Sequence, residues 1–356
     1  MHPNASPLIS VVMAVKNGGN LVGEAIESIL KQTYTDFEFI IINDGSTDNT
    51  LETIGLFHDP RIRLISQENQ GLSKSLNCGI RLSRGRFIAR QDHDDLSLPK
   101  RLEKQLAYLE THPHCGLLGT AAEIWTLEGP TGRFHDHPCE SAVLAFDLLF
   151  NNPFVHTSWM FRKAVVDRIG YYTTDCLREP PEDYEYISRV VREFDVANLP
   201  DRLVIYREMQ NSMSSLIRPQ NHLPNNPFSE RLALISSENI AHVTQQKLSN
   251  NDVVNFGALS HGYSKGFSPA GTYSGVKHLL VLATHEIQLR YPQSLLNPLL
   301  VERINSLFNQ YAYQEFLLSQ ERAGVGRFFH YCAYRLKIIL RKLLKCFLGF
   351  IHKILD

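Results

Sequence analysis

The 356-residue sequence has few cysteines, almost no net charge and no long apolar segment. Its six cysteines form no C-x-x-C pair, which argues against a zinc knuckle or a dense disulfide framework and favours a reducing cytosol. A formal net charge of −1 leaves no global field that would attract nucleic acid. Because no run of 18 uncharged apolar residues occurs, and no basic segment precedes the short apolar run at 8–15, we expect neither a transmembrane helix nor a secretory signal.

The first half of the sequence alternates between strand patterns and helix patterns. Four runs predict strands: ISVVMAV (9–15), FEFIII (37–42), RIRLIS (61–66) and RFIARQ (86–91). Helical patterns lie between and after them, at 20–34, 71–83 and 99–110. This alternation predicts an α/β fold with a mostly parallel, Rossmann-like central sheet flanked by helices. No G-x-G-x-x-G follows the first strand, which disfavours a dinucleotide-dependent oxidoreductase.

The second half of the sequence is mixed and then mainly helical. Two prolines lead into a helix over 179–193, and 195–208 reads as a closing strand pair. The segment 211–227 is rich in Ser, Asn and Pro, which indicates a linker or an irregular loop. We therefore predict three parts: an α/β domain at 1–215, which the resemblance described below implies to be catalytic, a mainly helical extension at 216–326, and a basic amphipathic helix at 327–356.

Three carboxylates are crowded at the end of the fourth predicted strand, in the sequence RQDHDD. Asp92 and Asp94 are two residues apart, so on an extended chain they point the same way. Two carboxylates on one side form a hard-oxygen site suited to Mg²⁺ or Mn²⁺. We interpret Asp95 as the cap of the following segment, and the alternative is that the whole cluster only caps a helix.

Five segments follow one another along the chain in this order: SVVMAVKNGG, FEFIIINDGSTDNT, GLSKSLN, GRFIARQDHDD and PEDYEYISRV. Together they closely resemble the family 2 glycosyltransferases, which are inverting nucleotide-sugar enzymes with a GT-A fold. The resemblance covers roughly residues 8–215. It implies a nucleotide-sugar donor, a glycan or lipid-linked acceptor, and Mn²⁺ or Mg²⁺ as the cofactor.

The same resemblance assigns roles to individual residues. On the nucleotide-sugar side it implies Ala14, Val15, Asn17, Asp44, Gly71, Lys74, Asp92 and His93, with Asp44 bonding the base. Asp92 and Asp94 would hold the metal, and Asp183 would be the catalytic base with Glu182 beside it. Many family members also carry a late metal-binding His where Met209 stands here. A thioether is a poor ligand for these cations, so the third protein ligand is left open.

The implied chemistry needs two separate sets of carboxylates. A cation stabilises the charge that develops on the leaving diphosphate, while a base on the other side takes the proton of the acceptor hydroxyl. A cluster near 92 and another acid near 183 supply both. His156 and Trp159 resemble the family's acceptor side, where Trp159 either stacks on a sugar ring or belongs to the core.

Residues 327–356 carry seven Lys or Arg side chains against one Asp, and on a helical wheel most of them lie opposite a broad apolar face. This pattern is typical of a helix at an anionic membrane interface, although packing on the protein itself is the alternative. We therefore predict a cytoplasmic enzyme, peripheral on the inner face of the cell membrane, that uses a UDP-sugar in cell-surface polysaccharide or lipopolysaccharide biosynthesis. The competing hypothesis is a non-catalytic GT-A scaffold or nucleotide-sugar-binding module in a membrane glycan-assembly complex. The presence of both acid clusters disfavours it.

Overall fold

The computed structural model describes residues 6–209 and 226–323. Its nine strands are β1 (Ile9–Val15), β2 (Phe37–Asp44), β3 (Ile62–Gln67), β4 (Phe87–Asp92), β5 (Leu96–Ser97), β6 (Cys115–Thr126), β7 (Gly129–His135), β8 (Met160–Arg162) and β9 (Asp195–Arg207). The helices before the gap are α1 (Leu21–Leu30), α2 (Thr50–Gly55), α3 (Leu72–Leu82), α4 (Arg101–Thr111), α5 (Ser141–Asp147), α6 (Lys163–Ile169) and α7 (Glu182–Glu193). Those after it are α8 (Pro227–Val243), α9 (Asn251–Ser260), α10 (Tyr273–Arg290) and α11 (Asn297–Ala323).

All nine strands join one sheet in the order β3-β2-β1-β4-β8-β6-β9-β5, with β7 paired to β6. The predicted parallel pairing is confirmed for β3-β2-β1-β4. Beyond β4 the sheet is mixed: β8 runs antiparallel to both β4 and β6, whereas β9 runs parallel to β6. The short turn between β6 and β7 leaves no room for a crossover helix, so those two strands form an antiparallel hairpin.

The apolar runs form strands that are buried on both faces. Every residue of β1 and of β2 is buried. Val11 and Met13 face a core with α1 and α4, while Val12 and Ala14 face a second core with α3 and α7. Alternation of side chains along each strand thus builds two layers of helices around one sheet.

The segment predicted as a strand pair at 195–208 is one strand, β9. Leu199 pairs with Thr120 of β6, and the next partner pair is Arg202 with Ala121. Pro200 and Asp201 therefore bulge out of the ladder between these pairs. Because proline cannot donate a ladder hydrogen bond, the strand bends there without ending.

The helices after the gap pack directly on the sheet domain. They share an apolar core with α5, and Tyr184 of α7 hydrogen bonds Ser236 of α8 at 3.0 Å. The side chain of Asn239 donates to the carbonyl of Leu148 at 2.7 Å. Across residues 6–209 and 226–323, no helix is long and apolar enough to cross a bilayer. The predicted boundary at 215/216 and the segment 327–356 lie outside the described residues.

Candidate active site

The loops that follow β1 and β2 are interlocked at the carboxyl edge of the sheet. Asn17 adopts a left-handed conformation, with φ 55°, and its N–H donates to Ser46 Oγ at 3.0 Å. Its side-chain oxygen accepts the N–H of Thr47 at 2.9 Å. The N–H of Gly18 donates to Thr50 Oγ1 at 2.9 Å. These bonds fix the exposed face of Asn17 and leave Ala14 and Val15 buried behind it.

Gly18 also joins this edge to the acidic segment. A Cβ at this position would lie 2.8 Å from Val15 Cγ2 and 2.9 Å from His93 Cδ2, so a larger residue cannot fit without displacing one of them. The imidazole of His93 therefore packs against the loop after β1. This contact brings the predicted nucleotide segment and the predicted metal segment into one site.

Asp44 is buried, and its carboxylate holds the loop that precedes α3. It accepts hydrogen bonds from Gln67 Nε2 at 2.8 Å and from the N–H groups of Gln70 and Gly71, each at 2.9 Å. Burial by itself would raise the pKa of Asp44, but the hydrogen bonds outweigh burial and lower it. A contact of Asp44 with the base of the nucleotide stays a prediction. Its hydrogen bonds to the loop before α3 are observed.

Two lysines lie around the same loop. In the orientation that satisfies both ends of its amide, the Asn69 side chain donates to Asp44 Oδ2 at 3.0 Å and accepts from Lys16 Nζ at 2.9 Å. Gly71 precedes α3 with φ 92°, a conformation that favours glycine, and Lys74 is exposed on the first turn. The segment GLSKSLN thus begins a helix at the sheet edge, where sequence reasoning places it.

The three carboxylates of RQDHDD converge. One oxygen from each of Asp92, Asp94 and Asp95 lies within 4.8 Å of the others. Burial raises the pKa of Asp94, and the nearby charge of Asp92 raises it further. Burial followed by Asp92 and Asp94 also raises the pKa of Asp95 well above its ordinary value. Oxygen donors crowded in this way suit a hard divalent cation, which would relieve their repulsion.

The prediction that Asp95 caps the following segment is wrong. Its carboxylate is buried and accepts the backbone N–H of Arg207 on β9 at 2.7 Å. The Arg207 guanidinium also bonds the Asp94 carbonyl at 3.3 Å and pairs with Glu24 of α1. No local sequence pattern indicates a hydrogen-bond partner that lies more than a hundred residues away. Asp95 therefore gives the cluster a third carboxylate.

Sequence reasoning also missed Arg90, which is buried two residues before Asp92. Its guanidinium forms an ion pair with the carboxylate of Asp92. The positive charge of Arg90 also acts to lower the pKa of Glu182 and of Asp183. Arg90 therefore interacts electrostatically with both groups of acids. A signal was present, since residues two apart on a strand share one face and R-x-D places Arg90 beside Asp92.

Glu182 and Asp183 begin α7, as predicted. Asp183 accepts hydrogen bonds from Asn152 Nδ2 at 2.9 Å and from the N–H of Tyr184 at 2.7 Å. Burial raises the pKa of both acids, and the neighbouring Asp183 helps to raise that of Glu182 to about 7. The direct donors on Asp183 favour its ionised form, so the proton of the pair resides more on Glu182.

The two predicted acceptor-side residues differ in their surroundings. His156 lies 3.8 Å from Glu182 and its Nε2 is 2.9 Å from the Tyr172 hydroxyl. Burial lowers the pKa of His156 well below its ordinary value, with Arg90 adding to the effect. Trp159 has no exposed surface and packs against Phe154. The structure therefore places Trp159 in the core, which corrects the alternative in which it stacks on a sugar.

Comparisons with known proteins bear on the family and the fold of this chain. The Glycosyl transferase family 2 profile matches residues 10–170. An uncharacterised glycosyltransferase of Haemophilus influenzae is 35% identical over 247 residues, which span 66% of this chain and 74% of the relative. The O-antigen biosynthesis glycosyltransferase WbnJ of Escherichia coli is 34% identical over 206 residues, or 56% of this chain and 79% of WbnJ.

Among solved structures, S. aureus TarS 1–349 in complex with UDP-GlcNAc is similar, with a TM-score of 0.56. The match covers 90% of this chain and 93% of that one at 18% sequence identity, so it bears on the fold alone. The fold, the site and the relatives together identify the chain as a member of glycosyltransferase family 2, a GT-A transferase with homologues in polysaccharide biosynthesis.

Proposed function

We propose that this enzyme transfers a sugar from a UDP-sugar to a hydroxyl group of a cell-surface polysaccharide or lipopolysaccharide acceptor, with inversion at the anomeric carbon. The observation that carries the proposal is the presence of two separate groups of carboxylates in one site. Asp92, Asp94 and Asp95 form one group, and Glu182 with Asp183 forms the other. An inverting displacement needs one group at the leaving diphosphate and the other at the attacking hydroxyl.

The first group suits Mn²⁺ or Mg²⁺. Asp92 and Asp94 would hold the cation, and Asp95 supplies a third oxygen donor nearby. When bound, the cation would stabilise negative charge on the diphosphate as a Lewis acid. The sequence around 209 contributes no imidazole, and three carboxylates with phosphate oxygens and water complete a set that such cations accept.

Asp183 is the base in this proposal. Its two hydrogen-bond donors orient the carboxylate and favour its ionised form, which can accept the proton of the acceptor hydroxyl. Glu182, with a pKa of about 7, holds a proton near neutrality and limits the charge of the pair. His156 stays neutral in this site, and its position beside Glu182 supports a place on the acceptor side.

The nucleotide would lie at the edge formed by Ala14, Val15, Asn17 and the loop that Asp44 holds. Gly71 and Lys74 would close this side from the start of α3, with Asp92 and His93 on the other side. The choice of uridine rests on the family resemblance and on TarS, which is described in complex with UDP-GlcNAc. Lys16, which can reach Asn69, places a cation where the donor would enter.

We propose that the enzyme acts at a membrane surface. The basic amphipathic sequence at 327–356 would bind anionic lipid on the inner face of the cell membrane, which suits a lipid-linked acceptor. The test is cosedimentation with vesicles of anionic lipid. The full chain should pellet with them, and a chain truncated after Gly326 should not. Equal pelleting of both chains would assign this segment to protein packing.

The test of the proposed function is a panel of nucleotide sugars, screened for thermal stabilisation and for hydrolysis with and without Mn²⁺. We expect one UDP-sugar to stabilise the enzyme and to be hydrolysed only with the metal. Asp183→Asn should retain nucleotide binding and lose transfer, whereas Asp201→Asn, on the surface, should behave like wild type. Binding without turnover in the wild type would support the non-catalytic alternative, and a product of retained configuration would exclude the proposed displacement.

A further inference from the structure

Arg90 is a buried cation whose bonding is incomplete. Its side chain is 4% exposed, and its Nη1 pairs with Asp92 Oδ2. Its Nε finds no hydrogen-bond partner in the described part of the chain. A buried donor without a partner is costly, so a guanidinium placed in this way points to a second arrangement of the group.

The groups that face Arg90 are acids on two sides. Asp92 lies on its own strand, while Glu182 acts on it from the first turn of α7. Burial, and then the charge of Arg90, lowers the pKa of His156, so its imidazole is neutral. The second buried arginine nearby, Arg101, bonds only neutral oxygens, including the carbonyls of Arg90 and Trp159. Of these two arginines, Arg90 is therefore the one that forms an ion pair with a carboxylate of the cluster.

The ion pair and a bound metal would compete for the same carboxylate. Asp92 belongs to the group of three carboxylates that suits a divalent cation, and one of its oxygens is already taken by the guanidinium. Two like charges beside one carboxylate repel each other. Binding of the metal at Asp92 would therefore weaken its contact with Arg90.

We propose that Arg90 is a positioning residue, which pairs with Asp92 while the cation is absent and yields that carboxylate to the cation when it binds. The inference rests on the proposed function, because it takes the acidic cluster as the metal site. The released guanidinium stays buried and needs a new counter-charge. Asp183, together with Glu182 once it ionises above about pH 7, would supply it from the start of α7, so metal binding would strengthen the electrostatic interaction of Arg90 with these acids.

The test is Mn²⁺ affinity, measured by calorimetry on the full chain at pH 8 without nucleotide. Arg90→Gln removes the competitor and keeps a polar side chain, so it should bind Mn²⁺ about tenfold more tightly, equivalent to about 1.4 kcal/mol. Arg90→Lys keeps the charge and should stay close to wild type. Arg101→Lys is the matched buried control, and its affinity should also stay close to wild type.

A purely structural arginine gives the opposite result. If Arg90→Gln folds, as judged by circular dichroism, and binds Mn²⁺ with equal or lower affinity, the proposal is wrong. Turnover should fall in Arg90→Gln although the metal binds more tightly, because the acids of α7 lose their counter-charge. Full turnover of Arg90→Gln together with tighter binding of Mn²⁺ would show that Arg90 is not coupled to the acids of α7.

A measurement on the wild type decides the matter if Arg90→Gln does not fold. Mg²⁺ should shift the NMR signal of the Arg90 Nε–H, assigned through Arg90→Lys. The signal of Arg101, whose Nε–H is bonded to Gln105 at 3.1 Å, should move little. An unmoved Arg90 signal at saturating Mg²⁺ would overturn the proposal. Metal-dependent hydrolysis with no effect at Arg90 would leave the proposed function intact, whereas an effect at Arg90 without any hydrolysis would count against the function alone.

Discussion

The backbone N–H of Arg207 donates to the buried carboxylate of Asp95 at 2.7 Å and joins two segments 112 residues apart. Through its side chain, Arg207 also reaches Glu24 of α1. The acidic segment after β4 is thus hydrogen bonded to the end of β9 and, through Arg207, connected to α1. A cluster of like charges can persist in this position because several elements hold its backbone.

Asp94→Asn should stabilise the metal-free enzyme and abolish its response to metal. Burial and Asp92 raise the pKa of Asp94, so its charge is unfavourable in the fold. Removing the charge should increase the free energy of unfolding at pH 8. Urea unfolding with and without Mn²⁺ measures both effects. The control is Asp201→Asn, which changes a partly exposed acid paired with Lys104. If Mn²⁺ still stabilised Asp94→Asn, Asp94 would not belong to the metal site.

Glu182→Gln should change the pH dependence of stability. The folded enzyme holds a proton on Glu182 up to about pH 7, whereas the ordinary pKa is 4.5. The contribution of Glu182 to stability is therefore complete below pH 4.5 and is lost as the pH rises through about 7. Gln keeps the neutral form, so the variant should gain on wild type by up to about 3 kcal/mol between pH 5 and pH 8. Parallel curves from urea unfolding at the two pH values would contradict the shift.

Asp44→Asn should loosen the loop before α3. Hydrogen bonds lower the pKa of Asp44 in spite of burial, so its contribution to stability is present above its ordinary pKa of 3.8 and is lost as the pH falls through the lower folded value. We expect a loss of about 1–2 kcal/mol at pH 7, shrinking below pH 4. Urea unfolding at pH 7 and pH 3 tests this, with Asp36→Asn as an exposed control. A loss that is the same at both pH values would point to packing instead of charge.

Trp159→Phe should lower stability without changing the affinity for the acceptor. The indole is fully buried, and the smaller ring leaves a cavity that costs about 1–3 kcal/mol. The same change at the partly exposed Trp125 should cost less. Denaturation and the KM for the acceptor are the measurements. A raised KM with unchanged stability would return Trp159 to the acceptor site.

The parts of the fold that follow from local pattern were predictable. β-branched runs such as ISVVMAV can be buried on both faces, and their alternation with helices required parallel pairing in β3-β2-β1-β4. The antiparallel pairing of β8 was not predictable, because three residues of strand carry no signal of direction. The helical region after the gap was predicted as helical, but its packing on α5 follows from contacts that no periodicity encodes.

The sequence by itself determined the family, the order of the motifs and the two groups of acids, because residue type and spacing along a strand or helix are local properties. Only the tertiary structure decided that Asp95 joins the cluster and bonds Arg207, that the pair of Arg90 and Asp92 is buried beside the acids of α7, and that Trp159 is buried. Two of these features, the burial of Trp159 and the contact of Asp95 with Arg207, depend on neighbours brought together by sheet order. The ion pair of Arg90 is local in sequence, yet its importance comes from α7, some ninety residues later, which encloses it with further acids.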